Sequence, residues 1–510
     1  MVLKKFSVVV LLFFFILLSA CVRPRKPLDE VWLSSGTDTS LLTTIQAGET
    51  PGLASIRVRH PGDVIETPTP DAQHVLPTPR TDAEEYVVQS GDTLGKIAQR
   101  YGVTVDLLAS ANAIEDPNLL NVGIALLIPA PQPGLPGTSF KIIPDSEFVY
   151  GPQAAPFDIF LFVKNKNGYL ANYREEIDGE RVGGAAIIQR VAQEYSVNPR
   201  LLLAVLEYQS GWLTKINPAE GTLDYPMGVP DSWRKGLYQQ LAWAANTLNR
   251  GYYLWRVNGV GNWVLADGSV VTIDPTINAG TAGVQGLFAS LCDRTGWDAA
   301  VSGVGLFQVF FEQFGYPFDY GVEPLLPYNL SQPVMQLPFE PGIVWSFTGG
   351  PHGGWGSWSG WAALDFAPPG EALGCVQSDA WVVAVANGWV VRSGRGAVVQ
   401  DLDNDGLEQT SWTILYMHIE TRDRVQEGIY LRAGERIGHP SCEGGVSSGT
   451  HVHLARRYNG EWIPADQQIP FVLDGWTSQG VGIEYDGYLV RDGRSIEAWE
   501  GYYPANQIQR

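Results

Sequence analysis

Five of the seven histidines of this 510-residue chain fall in its last third, and four of those sit in segments whose chemistry can be read directly. They are His352 in GGPHGGWG, His418 in LYMHI, and His451 and His453 in SGTHVHLA, with Asp365 in AALDFAPP between the first two. Residues 450–455 read as a strand; side chains there alternate with a period of two, so His451 and His453 project from one face. A catalytic zinc takes about three protein ligands from imidazole and carboxylate groups and keeps a fourth position open for water. One imidazole of the pair, with His352 and Asp365, supplies such a set. The other imidazole and His418 are then left beside the metal to handle protons and steady an oxyanion. The inventory is that of a zinc hydrolase. His439, in IGHPSCEGG, fits no ligand position and is expected to be a surface or loop residue near the site rim.

A sheet must position these groups. Residues 383–391 (VAVANGWVV) and 431–438 (LRAGERIG) read as strand and turn segments. With Tyr416-Met417-His418-Ile419 and Ser448-Gly449-Thr450-His451-Val452-His453 set beside His352 and Asp365, residues 337–474 resemble the lysostaphin and β-lytic class of zinc endopeptidases, which cut the peptides of bacterial peptidoglycan. In that class a His and an Asp precede a β-sheet core, a Tyr-x-His-hydrophobic segment follows, and a Ser-Gly-x-His-x-His strand closes the site. Carried over residue by residue, the resemblance implies His352, Asp365 and His453 as zinc ligands and His418 and His451 as catalytic histidines. Most members place only three residues between the first His and the Asp, whereas twelve intervene here. The β-lytic branch is similar in carrying a long Gly/Ser-rich insertion at this point, so the spacing marks a subtype. Relatives that keep the fold but lose activity lack one or more ligands; this chain lacks none.

A second resemblance lies upstream. The segment 86–129, YVVQSGDTLGKIAQRYGVTVDLLASANAIEDPNLLNVGIALLIP, resembles a LysM domain, a small βααβ unit. Its first helix is visible without the family, because Leu94, Ile97, Ala98 and Tyr101 recur on one face. LysM domains bind glycans containing N-acetylglucosamine, and the resemblance implies contacts from Gly91, Asp92 and Thr93 and from the loop 113–118. Asp92 and Thr93 are equally good helix N-caps.

Between these regions, residues 148–323 read as mainly helical. NPRLLLAVLEYQSGW resembles the catalytic helix of lysozyme-like lytic transglycosylases, and INAGTAGV a later motif of the same group. The match departs at the decisive position: Gln209 precedes Ser210-Gly211 where that group carries its catalytic Glu. Glycosidic cleavage needs a carboxyl acid, and Glu207, two residues earlier, lies about 200° round the helix. The domain is therefore expected to be lysozyme-like in fold and without lytic activity. Trp212, Trp233, Trp243, Tyr252, Tyr253 and Trp255 are expected in its core rather than along a sugar groove.

The amino terminus carries an address. Lys4 and Lys5 precede an apolar run, and Leu18-Ser19-Ala20-Cys21 resembles a bacterial lipobox. Residues 1–20 are expected to be a signal peptide, with Cys21 lipidated and anchored in the membrane. Residues 21–85, rich in Pro and Thr toward their end, are expected to form a disordered stalk with His60 and His74 solvated. Outside the cytoplasm Cys375 and Cys442 are expected to pair, leaving Cys292 as a buried thiol. A net charge of −20 with no basic patch excludes a nucleic-acid role. Asp401-Leu402-Asp403-Asn404-Asp405-Gly406 copies the start of a calcium loop, but Trp412 stands where a bidentate Glu belongs, which favours a polar hairpin turn, with weak calcium binding the alternative.

The sequence thus describes a multidomain chain: signal peptide (1–20), stalk (21–85), LysM domain (86–130), linker (131–147), mainly α lysozyme-like domain (148–323), mainly β peptidase domain with an antiparallel sheet (337–480), and a carboxy-terminal extension (481–510). The implied function is a membrane-anchored, zinc-dependent endopeptidase of the cell wall. Its rivals are a non-catalytic peptidoglycan-binding regulator and a glycan-cleaving enzyme, the latter opposed by Gln209. A tethered wall hydrolase needs restraint, which a helical domain covering the loop 352–360 could supply.

Overall fold

The computed structural model describes residues 68–510 except Pro79, Ser90, Gly91, Glu115, Asn118, Pro133 and Glu371. Cys21, the signal peptide, His60 and most of the stalk therefore lie outside the described residues, as does Gly91. Among the described residues no helix is long and apolar enough to cross a membrane.

In the LysM region, β1 (Glu84–Val87) and β2 (Ala125–Ile128) pair antiparallel around α1 (Leu94–Tyr101) and α2 (Val105–Ala111). Leu94, Ile97 and Ala98 of α1 are buried against Leu108, Leu126 and Ile128, as their spacing requires. Thr93 caps α1 by accepting from the Lys96 amide at 3.2 Å, and Thr104 caps α2 from Leu107 at 2.9 Å. Asp92 accepts from the Gln89 amide and the Tyr86 hydroxyl, so it closes the turn before the helix.

The middle region is built on α3 (Gly184–Tyr195), α4 (Pro199–Ser210), α5 (Leu237–Arg256) and α6 (Ala279–Ala289). Helix α4 starts with Asn198 as cap and Pro199 in its first turn and stops at Gly211, whose φ of 70° suits the left-handed termination. Trp212, Tyr252, Tyr253 and Trp255 are buried and Trp243 half-buried, whereas Trp233 is 86% exposed and departs from the expected core set. The Arg200 guanidinium makes a two-armed pair with Glu147 at 2.7 and 2.9 Å, entirely inside the protein.

Several expected boundaries move. The stalk is docked from Asp71 onward: the Asp71 and His74 amides donate to Thr276 and Pro275, and Lys141 pairs with Asp71 at 2.5 Å. His74, expected in solvent, stacks on Trp255 at 4.3 Å and bonds its carbonyl. The linker 131–147 is equally engaged, with Ile142, Ile143 and Glu147 buried and Leu135–Pro136 pairing in parallel with Val271–Thr272. Apolar residues in these segments find the surface of the helical region, which composition alone does not reveal. Cys292, expected to be buried, is half-buried in the segment after α6.

The carboxy-terminal region is a nine-stranded antiparallel sheet. Its strands are β3 (Val344–His352), β4 (Ala363–Ala367), β5 (Gly388–Gly394), β6 (Ala397–Asp401), β7 (Trp412–Met417), β8 (Tyr430–Leu431), β9 (Val452–Tyr458), β10 (Glu461–Trp462) and β11 (Gln507–Gln509). They run in the order β8-β5-β6-β7-β9-β4-β3-β11, with β10 pairing β9. The extension is thus integral, because its last strand borders β3. The Asp401–Asp405 segment forms the turn between β6 and β7, its three aspartates grouped within 4.8 Å. Burial and the nearby Asp401 push the Asp403 carboxyl up to about 7.

Both faces of this sheet are covered. Leu364, Phe366, Ile414, Tyr416, Val452 and Leu454 point into one core, while Ala363, Val399, Leu415, Met417 and Ala455 join a core shared with the helices. That sharing explains why β4, β6 and β7 are buried at every position and show no alternation of polar and apolar residues. Polar ties reinforce the junction: Arg256 pairs with the buried Glu461 at 2.9 Å, the Trp462 amide donates to the Tyr253 hydroxyl, and Ser196 donates to the Gly460 carbonyl.

Candidate metal centre and active site

Three adjacent strands bring the sequence-distant ligands together. His453 of β9 lies directly opposite Asp365 of β4, and Asp365 lies opposite Gly349 of β3. Residues opposite one another in an antiparallel pair share a face. Irregular register between Phe347 and His352 then carries His352, the last residue of β3, to the same place. His352 Nε2 lies 3.0 Å from His453 Nδ1 and 3.2 Å from Asp365 Oδ1, and His453 Nδ1 lies 3.3 Å from that oxygen. Ligand atoms about 2.0–2.2 Å from one tetrahedral zinc lie about 3.3–3.5 Å apart, so the triangle has nearly the size such an ion sets.

The chemistry of the three atoms agrees with their spacing. His352 Nδ1 is 2.7 Å from the Gly350 carbonyl and His453 Nε2 is 3.0 Å from the Gly354 carbonyl. A carbonyl only accepts, so each of these nitrogens carries the hydrogen and the other ring nitrogen presents a lone pair. Asp365 Oδ1 is buried and has no hydrogen-bond donor. Three electron-rich atoms therefore converge without a proton between them, an arrangement that a cation satisfies. Burial opposes the Asp365 charge, but the imidazoles of His352 and His451 outweigh it and hold the carboxyl well below its usual range. Burial likewise opposes charging of His352, yet Asp365 raises its pKa, whereas burial lowers that of His453.

Glycines around His352 are required by close packing. A Cβ on Gly349 would lie 2.7 Å from Asp365 Oδ2, and one on Gly354 would run into the Trp462 ring. The insertion that follows His352 is held by the helical region: the Trp358 amide donates to Asn246 at 3.2 Å, and the Arg250 guanidinium lies 5.1 Å from the Trp358 ring centre.

His418 and His451 stand beside the triad, their rings 4.4 Å apart. His418 follows β7 with a left-handed φ of 64°, a conformation rare for non-glycine residues. Its Nδ1 donates to the Glu443 carbonyl at 3.0 Å, and His451 Nδ1 donates to the Gly449 carbonyl at 2.7 Å. All four imidazoles thus share one plan, a backbone carbonyl fixing the hydrogen on one nitrogen and leaving the other free. Burial, then the charges of His451 and His453, lower the His418 pKa to about 3. His451 Nε2 is 3.7 Å from Asp365 Oδ1. Cys375 and Cys442 are joined by a disulfide, Cα atoms 5.7 Å apart, in the loops next to these histidines.

Some placements depart from expectation. His439 lies in a loop but is buried rather than at the surface: Nδ1 donates to the Ala380 carbonyl at 2.9 Å and the ring packs 4.0 Å from Trp381. Tyr485, from the segment read as an extension, stacks on His352 at 4.2 Å and exchanges backbone hydrogen bonds with Gly350 and Pro351. Nothing in GIEYDGY announces it; only the hairpin that lays it against β3 does. In the helical region Glu207 accepts from the Leu213 and Thr214 amides at 2.9 and 3.2 Å and from the Thr214 hydroxyl, which occupies it as a helix-end cap.

Comparison with known proteins adds family context to this geometry. The LysM domain model matches residues 86–129, and the model of the LasA N-terminal domain matches residues 141–326. Protease LasA of Pseudomonas aeruginosa is 27% identical over 346 residues, 62% of this chain and 74% of that protein. The β-lytic metalloendopeptidase of Lysobacter enzymogenes is 25% identical over 177 residues, 33% of this chain and 94% of that protein. The chain is a LysM-containing homologue of the M23 metallopeptidases. Among solved structures, the M23 metalloprotease Pseudoalterin from the deep sea aligns at 25% identity over 34% of this chain and 99% of that one, with a TM-score of 0.28. The middle region of this M23 homologue thus matches a LasA domain, and its likeness to lysozyme rests on the motif around Gln209 and that at residues 277–284.

Proposed function

We propose that this M23 homologue is a zinc-dependent endopeptidase that hydrolyses peptide bonds in peptidoglycan stem peptides or cross-bridges. The observation that carries the reading is the convergence of His352 Nε2, His453 Nδ1 and the donor-free Asp365 Oδ1 within 3.0–3.3 Å, each imidazole fixed from behind by a carbonyl. In this reading those three side chains hold the ion. When bound, zinc supplies Lewis acidity toward a peptide carbonyl and toward a water in the open position.

The remaining groups belong to the chain itself. His418, its Nδ1 hydrogen fixed by the Glu443 carbonyl, keeps its Nε2 lone pair free, which places it to take the proton of the attacking water. His451, its Nδ1 hydrogen fixed by Gly449, keeps Nε2 available to carry a proton to the developing oxyanion or the leaving amine. The buried walls of the site keep bulk water from competing with these contacts. Asp92 and Thr93 both serve as turn and cap residues, so their glycan contacts, like those of Gly91, rest on the LysM resemblance.

The LysM domain holds the enzyme on glycan strands containing N-acetylglucosamine, and a lipidated Cys21 tethers it to the membrane at the outer side of the bacterial envelope. The helical region serves as a scaffold and not as a muramidase, consistent with Gln209 and the capped Glu207. The test is bound-metal analysis of the full chain together with release of new amino groups from purified peptidoglycan, comparing wild type with His453→Ala. The full chain is the right material because sheet and helices share one core. About one zinc per chain, and release that vanishes in the variant, is the expected result. Folded protein that binds no zinc and releases nothing overturns the peptidase in favour of a binding or regulatory role.

A further inference from the structure

The turn between β6 and β7 carries chemistry that the peptidase reading does not use. Asp401, Asp403 and Asp405 each offer a carboxylate oxygen there, all within 4.8 Å of one another. Backbone amides fix these groups: Asp401 accepts from Asp403 and Gly406, Asp403 from Asp405, and Asp405 from Leu407. Amides bring no full positive charge, and Arg392 and Arg457 on this side of the sheet pair with Glu408, at 3.0 and 2.8 Å. Asp401 is nevertheless wholly buried.

Acidic residues cluster on many surfaces without an ion, but here a second group points to one. Thr413 of β7 stands directly opposite Asp401, and Arg457 of β9 stands opposite Thr413, so the three side chains leave one face of the sheet. Glu408, from the loop that begins at Asp401, reaches back to Arg457. The loop therefore folds across Thr413, whose hydroxyl is directed beneath it beside the Asp401 carboxylate. That side chain is 1% exposed and its Oγ1 has no hydrogen-bond partner. A buried hydroxyl without a partner is costly, and a cation held by the neighbouring carboxylates satisfies it. The three aspartates occupy the first, third and fifth places of the calcium-loop pattern, and Trp412 at the twelfth offers no oxygen. Thr413, next in the chain, does. An all-oxygen donor set of this kind selects a hard divalent cation.

We propose that the turn 401–413 is a calcium site, separate from the zinc centre, with the carboxylates of Asp401, Asp403 and Asp405 and the hydroxyl of Thr413 as ligands. The inference does not rest on the peptidase reading. Its structural effect reaches beyond the turn: Glu408 holds Arg457, and Arg457 donates to the Ser196 hydroxyl of the helical region at 3.3 Å. Calcium thus ties the loop, the sheet and the helices together on the strand that leads to His418.

The experiment titrates calcium into the zinc-saturated full chain by calorimetry. It is paired with terbium luminescence excited through Trp389, which stands opposite Asp401 in β5, and with thermal unfolding in the presence and absence of calcium. The variants are Asp403→Asn, which keeps the oxygen that accepts from Asp405, and Thr413→Val, which keeps the shape and removes a hydroxyl that bonds nothing. Asp379→Asn, an exposed carboxylate outside the turn, is the control. Wild type and control are expected to bind one calcium with a Kd of about 0.1–1 mM and to unfold at a higher temperature with it. Affinity is expected to fall at least about tenfold in Asp403→Asn and about three- to tenfold in Thr413→Val. Unchanged affinity in Thr413→Val overturns the ligand set. No uptake by wild type up to about 10 mM calcium, or uptake unaltered in both variants, overturns the site.

Discussion

Replacing His418 by Gln tests whether the fold holds this imidazole neutral. Its pKa falls from 6.5 to about 3, first through burial and then through the charges of His451 and His453. A base whose folded pKa is lowered gives stability that is complete above the unfolded value and is lost as pH falls. Between the two values the unfolded chain binds the proton and the folded chain does not, so stability rises with pH. At pH 5 the unfolded imidazole is about 97% protonated, and any folded value below about 4 gives the same loss, about 2 kcal/mol; at pH 4 the loss reaches about 3 kcal/mol. At pH 7.5 it is below about 0.1 kcal/mol. The Gln amide can still donate to the Glu443 carbonyl but does not titrate. The assay is denaturant unfolding of chelator-treated wild type and His418→Gln at pH 7.5, 6, 5 and 4. The stability difference between the two proteins should shift by about 2 kcal/mol in favour of the variant between pH 7.5 and pH 5. Parallel curves, with a shift under about 0.5 kcal/mol, would refute a His418 pKa that burial holds below its ordinary value.

Other outcomes follow from the same structure. Gly354→Ala forces a Cβ against the Trp462 ring and moves the carbonyl that fixes His453, so zinc affinity measured by competition with a metal-binding dye should weaken about 10–100-fold, while an unchanged affinity would show that this carbonyl does not orient the ligand. Arg200→Met strands the buried Glu147 and should lower the unfolding free energy by about 3–5 kcal/mol; a loss under about 1 kcal/mol in denaturant titration would contradict the buried pair. Glu207→Gln should cost about 1–2 kcal/mol through its cap contacts and leave release of reducing or anhydro sugars unchanged, whereas loss of such release would restore a lytic role to the helical region.

The sequence by itself determined the chemistry and the local units. Residue types in HVH, YMHI and LDFA specify imidazole and carboxylate donors, and period-two alternation requires His451 and His453 to leave one face of a strand. The capped, periodic helix at Leu94–Tyr101 is equally local, because capping and amphipathic spacing act within a few residues. Gln209 was legible as a departure, since no geometry turns an amide into an acid.

Only the tertiary structure decided the rest, because it depends on surfaces that are distant in the chain. Cross-strand register puts Asp365 opposite His453, and an irregular β3 brings His352 to them across the twelve-residue insertion. Which ring nitrogen faces the centre is set by carbonyls of Gly350, Gly354, Glu443 and Gly449, none of which a side-chain pattern announces. His74, His439 and Tyr485 were misplaced or missed for the same reason: each is buried or stacked against a partner from another element, Trp255, Trp381 and His352 respectively. The sharing of one core by helices and sheet follows from apolar side chains on both sheet faces meeting partners that lie up to hundreds of residues away, and long-range packing of that kind leaves no local periodic trace.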